Sequence, residues 1–557
     1  MHRYLKTPEA LAFLISAWIV LVSNAGFWQV VGANAPAGPL PGLAYFASFL
    51  LLTIGLVSLV MLILSFGRAA RLTLGLALVI AASASYFTSR FGTLFDPGML
   101  TNVVETDPAE ASELITLPFL AVVTVAGVLP ALAIWRYPFV NRSIGAAILH
   151  RCVALVIALS LIAGPLFASQ KEIFSVARNH REIRHMIAPL NVISASYVTL
   201  REHLEAPTEF HHVGLDATHA SATTQHRKPR AHVLIVGETA RAANFELNGY
   251  EINTNPELSE RDDIWFLEAS SCGTATAVSL PCMFSIQERA GFNRDQSHYE
   301  DNLLDVAMRS GYHVLWIDNG NGCKGICARV EHRDVHSSRI STVCPDGTCF
   351  DEILVEELRS VLDTMTEDTL IVLHGLGSHG PAYFRRYPER FRLFQPDCQS
   401  PNFGDCTQEQ ITNSYDNTIA YADHFIATAI DTLAAHSADL DTSLLYVSDH
   451  GESLGEHGLY LHGMPYKMAP DEQTTVPMIF WADQGALLET QTVPSCVDHS
   501  ADVSISHDNL FHTELGLLEI STASYRSDLD ILSDCQPRAL LTAQREVISG
   551  ASSGAAT

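Results

Sequence analysis

His232-Val-Leu-Ile-Val-Gly-Glu238 decides how the carboxyl-terminal half of this chain is read. A short apolar, β-branched run leads directly into a carboxylate, which is the pattern of a buried strand ending at a chemically useful group. Comparable runs follow at Tyr312–Ile317, Thr369–Leu373, Ser443–Val447 and Val476–Phe480. They alternate with stretches at 301–310, 351–364 and 410–435 whose apolar positions fit helices. Strands alternating with helices predict an α/β domain with a mostly parallel sheet between helices.

Each run is followed by groups that can bind a metal or an anion. Glu238 follows the first, Asp318 and Asn319 the second, His374 and His379 the third, Asp449 and His450 the fourth. Ligands of such sheets bind beyond the carboxyl ends of the strands, so these groups converge although far apart in sequence. Carboxylate and imidazole without thiolate favour Zn²⁺ in a site that keeps an open position. Singly, each has a plainer explanation: Asp449 could cap a helix, and His462 could be a satisfied loop histidine. Agreement among four strand ends is what argues for a site.

Residues 272–282 read Cys-Gly-Thr-Ala-Thr-Ala-Val-Ser-Leu-Pro-Cys. Thr274, Thr276 and Ser279 are all candidate nucleophiles once a metal is near, and the residues alone do not choose among them. Lys324, inside Asn319-Gly-Asn-Gly-Cys-Lys-Gly325, is a candidate phosphate contact, because the glycines let backbone N–H groups approach an anion.

The amino-terminal part is of opposite character. The chain has 557 residues and a net charge of −27, yet 48% of it is hydrophobic. The apolar excess lies before residue 170, in runs at roughly 9–31, 43–66, 72–88, 116–134 and 146–168. A membrane-spanning helix needs about 20 residues to cross ~30 Å of hydrocarbon, so five spans are expected. A cleaved signal peptide is the competing reading of the first run, but another apolar run follows it in place of a soluble domain. Arg3 and Lys6, Arg68 and Arg71, and Arg136 and Arg142 place three connections on the cytoplasmic side and everything after 170 outside. The outer connection between Arg90 and Leu114 carries Asn102, Thr106 and Glu110 at intervals of four, one face of a helix. It is either a solvated acidic connector or a polar lining for a lipid head group.

Residues 1–168 are therefore expected to form a five-helix transmembrane domain, 169–230 interfacial helices and a linker, 231–546 the outer domain and 547–557 a disordered tail. Ten of eleven cysteines follow residue 270, eight of them in short-range pairs: 272 with 282, 323 with 327, 344 with 349 and 398 with 406. Outside a membrane these read as disulfides of an oxidising compartment such as the periplasm. A zinc site at Cys323 and Cys327 is the alternative. Cys496 and Cys535 are left over, and Cys152 lies in the fifth span.

Six motifs in order carry a resemblance that covers nearly the whole chain. They are Val236-Gly-Glu-Thr-Ala-Arg241, Ser271-Cys-Gly-Thr-Ala-Thr-Ala277 with Ser279-Leu-Pro-Cys-Met-Phe-Ser285, His379-Gly-Pro-Ala-Tyr383, Ser448-Asp-His-Gly-Glu-Ser453, Leu461-His-Gly-Met-Pro465 and Ser506-His-Asp-Asn-Leu-Phe-His512. The chain resembles the lipid A phosphoethanolamine transferases, a group that includes the mobile colistin-resistance enzymes within the alkaline phosphatase and sulfatase superfamily. The resemblance implies Thr276 as nucleophile and Glu238, Thr276, Asp449 and His450 as zinc ligands. It gives His379 and His462 the phosphate, the leaving group's proton or a second zinc, with His374 nearby. It implies that Lys324, and Asn319 or Asn321, contact phosphoethanolamine, although Gly320 stands where some relatives have asparagine. Asn102, Thr106 and Glu110 resemble residues that meet the lipid.

The implied reaction moves phosphoethanolamine from phosphatidylethanolamine to a lipid A phosphate, in a monomeric inner-membrane enzyme with its catalytic domain in the periplasm and no nucleic-acid partner. Transfer of phosphoethanolamine or phosphoglycerol to another envelope glycan is the alternative. A sulfatase is disfavoured, because Pro281-Cys282-Met283 does not supply a Cys-x-Pro-x-Arg motif. A membrane sensor that has lost its chemistry is disfavoured by the intact Glu238, Thr276, Asp449 and His450.

Overall fold

The computed structural model describes residues 6–106, 108–140, 142–207, 209–219, 228–320, 322–336, 343–344, 348–489 and 504–535. The expected tail at 547–557, Cys496 and Asn321 lie outside these. The chain divides into two compact units: Met1–Val104 with Pro108–Arg201 and Glu456–Tyr460, and Glu105–Asp107 with Glu202–Gly455 and Leu461–Thr557.

The first unit is helical. Among the described residues, four helices are long and apolar enough to cross a membrane: Pro39–Leu64, Ala70–Phe91, Leu117–Trp135 and Ile144–Ala168. The first apolar run departs from expectation, since it forms two helices, Pro8–Val22 and Ala25–Ala33, bent by 63°. Its break is at Ser23-Asn24, where the Asn24 amide donates to Ile19 O (2.9 Å) and accepts from Ala188 N–H (2.8 Å). A polar side chain that bonds backbone at a helix end competes with helix continuation. The count is therefore four spans, or five if the bent pair is one.

Leu117–Trp135 contains a π-turn at Thr124–Val128. Pro130 is its cause: proline has no N–H to give to the carbonyl four residues earlier, that of Ala126. The Trp18 indole N–H donates to that Ala126 oxygen instead, at 2.9 Å.

The outer connection also departs from the single-helix reading. Pro97–Glu105 and Pro108–Leu114 are separate helices. A proline disfavours helical geometry in the residue before it, and the second helix accordingly starts at Pro108. Asn102 lies on the first helix, Thr106 between the two and Glu110 on the second, so they share no continuous helical face.

In the second unit an eight-stranded sheet forms the centre. Its strands are β1 (Arg230–Gly237), β2 (Ile264–Ser270), β3 (His313–Asp318), β4 (Glu331–Asp334), β5 (Thr369–His374), β6 (Asp441–Ser448), β7 (Thr475–Ala482) and β8 (Ile505–Ser506). In space they run β8-β2-β7-β6-β1-β5-β3-β4. The sheet is mixed: β7 is antiparallel to both β2 and β6, while the other pairings are parallel. β2, β4 and β8 were not read as strands. β4 is an exposed charged edge and β8 has two residues, so neither carries an apolar run.

Every residue of β1, β5 and β6 is buried. Helices cover such strands, which accounts for their unbroken apolar character. The ends of these helices are encoded locally. Asn302 and Asp305 form a capping box before Leu303–Ser310, which stops at Gly311 in a left-handed conformation, φ 111°. Thr407 and Gln410 form the same box before the 29-residue helix Gln408–His436. Leu234, Val236, Leu304, Trp316, Leu445, Phe480 and Phe511 share one core.

Trp18→Phe should lower the thermal unfolding midpoint in detergent, by the equivalent of about 1 kcal/mol for one lost hydrogen bond to a buried carbonyl. In a Pro130→Ala background, where the restored backbone N–H can bond Ala126 O, the same change should cost measurably less; equal costs in the two backgrounds would refute the substitution of indole for amide.

Candidate active site

Parallel pairing of β1 and β6 sets Gly237 opposite Ser448. The next residues, Glu238 and Asp449, therefore leave the sheet side by side, followed by His450. The three offer ligand atoms that lie within 4.8 Å of one another, and all three are buried. Gly377, with φ +54°, packs against the Glu238 backbone, where a Cβ would collide with it. Asp351 holds that turn by accepting from Leu376 N–H (2.8 Å) and Gly377 N–H (2.9 Å).

Thr276 opens the helix Thr276–Met283 and is 5% exposed. Its hydroxyl donates to Glu238 Oε2 at 2.8 Å and lies 3.3 Å from His450 Nε2. The two other hydroxyls are bound elsewhere. Thr274 donates to Met464 O and Ser279 to Asp449 O, both at 2.6 Å.

Electrostatics marks the cluster as a cation site. Burial opposes ionisation of Glu238, yet hydrogen bonding and the charge of His450 hold its carboxyl well below the usual range. Burial and then the charge of Glu238 push Asp449 up to about 6. Burial opposes the charge on His450, but Asp449 and Glu238 raise it to about 10. A proton on His450 thus stands between two buried carboxylates, the position from which a metal displaces protons. His450 Nδ1 donates to Gly451 O at 2.9 Å, directing Nε2 at the carboxylates. Asp449 Oδ2 is buried without a hydrogen-bond partner. The residues fit a divalent ion.

His379 and His462 stand beside this cluster, their rings 5.2 Å apart, with His462 4.5 Å from the His450 ring. Glu452 and Tyr383 support them and were not singled out from the sequence. Tyr383 donates to Glu452 Oε1 (2.6 Å), and Glu452 Oε2 lies 2.9 Å from His462 Nδ1. Glu452 sits within the quoted Ser448–Ser453 motif, where it was legible.

His374 and Asn319, expected near or in contact with the phosphoethanolamine, lie inside the domain. Both have no exposed surface. His374 Nδ1 faces Asp318 Oδ2 at 3.1 Å, while Asn319 donates to Cys349 O (3.1 Å) and Asp351 Oδ1 (2.8 Å). Asp318 sits below the ordinary range and His374 above it, each through the other's charge acting against burial. A Cβ on Gly320 would lie 2.8 Å from Gly375 O, leaving no room for asparagine.

Lys324, at φ 48° between Gly322 and Gly325, lines a cleft of about 490 Å³ with Arg294, His298 and His203. Its Nζ donates to Glu105 O at 3.3 Å. Arg294 was missed by sequence reading; its Nε donates to Ala277 O, one residue after Thr276, at 2.8 Å. The four short-range disulfides, Cys272–Cys282, Cys323–Cys327, Cys344–Cys349 and Cys398–Cys406, are all formed. The zinc alternative for Cys323 and Cys327 is thereby overturned. Cys535 is disulfide-bonded as well, and Cys152 is free.

Residues 230–520 match the sulfatase family, and residues 53–204 match the family described as phosphoethanolamine transferase EptA/EptB. Phosphoethanolamine transferase EptA of Escherichia coli K12 is 37% identical over 542 residues, which cover 96% of this chain and 99% of that protein. This chain belongs to the phosphoethanolamine transferase family. Phosphatidylethanolamine transferase Mcr-1 of Escherichia coli is 34% identical, over 93% of this chain and 96% of that one. The integral membrane lipooligosaccharide phosphoethanolamine transferase A of Neisseria meningitidis superposes with a TM-score of 0.91 at 35% identity, covering 95% of this chain and 98% of its own. The chain is thus a transferase with a sulfatase-like catalytic unit.

Sequence reading also missed His507, although its motif was quoted. It is 2% exposed, and burial pushes it down to about 3, so it stays neutral. Nε2–H donates to Ser448 O and Nδ1 accepts from Cys272 N–H, both at 3.0 Å, tying the metal-side strand to the Thr276 loop. His507→Phe strands both backbone groups and should cost about 2 to 5 kcal/mol. Thermal melting in detergent checks this; a variant as stable as the parent would show the tie to be dispensable.

Proposed function

We propose that this transferase moves phosphoethanolamine from phosphatidylethanolamine to a phosphate of lipid A, with Thr276 as the covalent carrier. The observation that carries the reading is the Thr276 hydroxyl, 2.8 Å from Glu238 within a buried carboxylate and imidazole cluster. Glu238, Thr276, Asp449 and His450 would hold one zinc ion, for which carboxylate and imidazole are suited donors. When bound, the zinc favours the ionised form of a neighbouring hydroxyl and offsets charge on phosphate oxygens.

Glu238 then orients the Thr276 oxygen for attack on phosphorus. The phosphorus–oxygen bond to diacylglycerol breaks, and His379 or His462 delivers the proton that the leaving oxygen takes. Glu452 fixes the His462 ring by its bond to Nδ1, which favours His462 for this task. In the second half a lipid A phosphate oxygen attacks the same phosphorus and the Thr276 oxygen leaves. Two in-line displacements give retention at phosphorus and ping-pong kinetics. Lys324 and Arg294 line a neighbouring cleft with Glu105 and Asp295, where Arg294 pairs with Glu105 and also donates to Ala277 O beside Thr276.

The catalytic unit is assigned to the periplasm and the helices to the inner membrane. Short-range disulfides and the basic segments between spans support that placement. An ethanolamine cation on lipid A offsets phosphate charge and weakens attraction of cationic peptides such as polymyxin. More distant relatives, at 27% to 28% identity, are named Kdo(2)-lipid A phosphoethanolamine 7''-transferase, so a neighbouring sugar is the competing acceptor.

Thr276→Ala should abolish transfer while leaving the melting temperature and one-to-one zinc content intact. Digestion of the parent enzyme incubated with phosphatidylethanolamine alone should yield a Thr276 peptide carrying phosphoethanolamine. Residual turnover in the alanine variant, or an adduct elsewhere, would sink the carrier assignment. Chelation should remove activity, and zinc should restore it. Mass spectrometry of lipids from cells with and without the protein decides the acceptor: phosphoethanolamine on a core sugar with lipid A unchanged would move the assignment to that glycan.

A further inference from the structure

The helical unit holds a second polar site that the transfer reaction does not use. A cavity of about 740 Å³ opens beside the first turn of Pro8–Val22, the end of Pro39–Leu64 and the first turns of Ile144–Ala168. Three guanidinium groups line it, those of Arg71, Arg142 and Arg151, against the single carboxylate of Glu9. Three against one leaves an excess of two positive charges, since arginine does not deprotonate in proteins.

These groups are not equivalent. Glu9 is 4% exposed and is gripped by Arg142, Nη1 to Oε2 at 2.8 Å and Nη2 to Oε1 at 2.9 Å, with Arg151 Nε at 3.4 Å. Arg151 also donates to Ser65 O (3.0 Å) and to Leu62 O, carbonyls at the end of Pro39–Leu64. Among the described residues, Arg71 faces no carboxylate. Its Nη2 donates to Tyr137 O at 3.0 Å, its Cζ lies 5.0 Å from the centroid of the Phe139 ring, and among the described residues its buried Nε has no hydrogen-bond partner. An orphaned charged donor in a positively charged cavity calls for an anion.

The surroundings choose among anions. Phe66 and Ile148, which line the same cavity, are 65% and 59% exposed, so apolar surface adjoins the charge. A free anion has no use for it, whereas a phospholipid covers it with acyl chains. A zwitterionic head group would bring its ammonium toward three guanidinium groups. Arg71 and Arg142 also belong to the basic segments that orient this end of the helices toward the cytoplasm, where basic pockets between helices take anionic head groups.

We propose that this pocket binds the phosphate of an anionic glycerophospholipid of the phosphatidylglycerol type, with Arg71 as the direct donor and Arg142 and Arg151 supplying field. It would be a structural lipid, distinct from donor and acceptor.

The full chain in a neutral detergent, titrated with phosphatidylglycerol, phosphatidylethanolamine or inorganic phosphate and followed by native mass spectrometry, tests this. Wild-type protein should retain phosphatidylglycerol in preference to phosphatidylethanolamine. Arg71→Gln should weaken the phosphatidylglycerol adduct about fivefold, the effect of one basic contact, without changing the phosphatidylethanolamine adduct. Arg71→Lys should keep the preference. Equal retention of the two lipids by wild-type protein, which needs no variant, would overturn the proposal, as would unchanged phosphatidylglycerol binding in Arg71→Gln. Displacement of phosphatidylglycerol by millimolar phosphate would reassign the pocket to a free anion.

Discussion

Glu238 and Asp449 are forced together by backbone pairing. β1 and β6 are parallel neighbours in register from Arg230 and Asp441 through Gly237 and Ser448, so the next residue of each delivers a carboxylate to one point. Two carboxylates buried this close are unfavourable unless a positive charge lies between them. His450 provides one as an imidazolium, and a divalent ion provides a stronger one. Much of the surrounding construction follows from holding that arrangement: Gly377 lets a turn press on Glu238, Asp351 pins the turn, and His507 links the Asp449 strand to the Thr276 loop.

Thr276 and His462, the proposed carrier and the proposed proton donor, are held by different parts of the site. Thr276 touches the carboxylate cluster directly, whereas His462 is held through Glu452 and Tyr383. The cleft lined by Lys324 and Arg294 meets the Thr276–Met283 helix where Arg294 donates to Ala277 O.

What the sequence made legible follows from local periodicity. β1, β3, β5 and β6 are buried on both faces, so their runs stand out, and the metal-binding groups lie at fixed offsets behind them. β7 has the same apolar character, but direction is set by topology and leaves no trace in a run of apolar residues. Choosing Thr276 over Thr274 and Ser279 required the family resemblance. In the structure the distinction rests on which carbonyl each hydroxyl meets, Met464 for Thr274 and Asp449 for Ser279, and no spacing encodes that. The bend at Asn24 and the break at Pro108 were written in the sequence as a polar capping residue and a proline. The first was passed over by reading one continuous apolar run and the second by reading the spacing of four as one helix.

The four short-range disulfides connect residues only 10, 4, 5 and 8 positions apart. Loops this short remove little entropy from the unfolded chain compared with long ones. Their effect is on the shape of individual turns, among them the loop that leads into Thr276 and the one that carries Lys324. On the proposed periplasmic placement, each pair is also complete as soon as one short segment has crossed the membrane. Oxidation can therefore proceed in the order of export, with no cysteine of these four pairs waiting for a distant partner and little opportunity for mispairing before the sheet assembles.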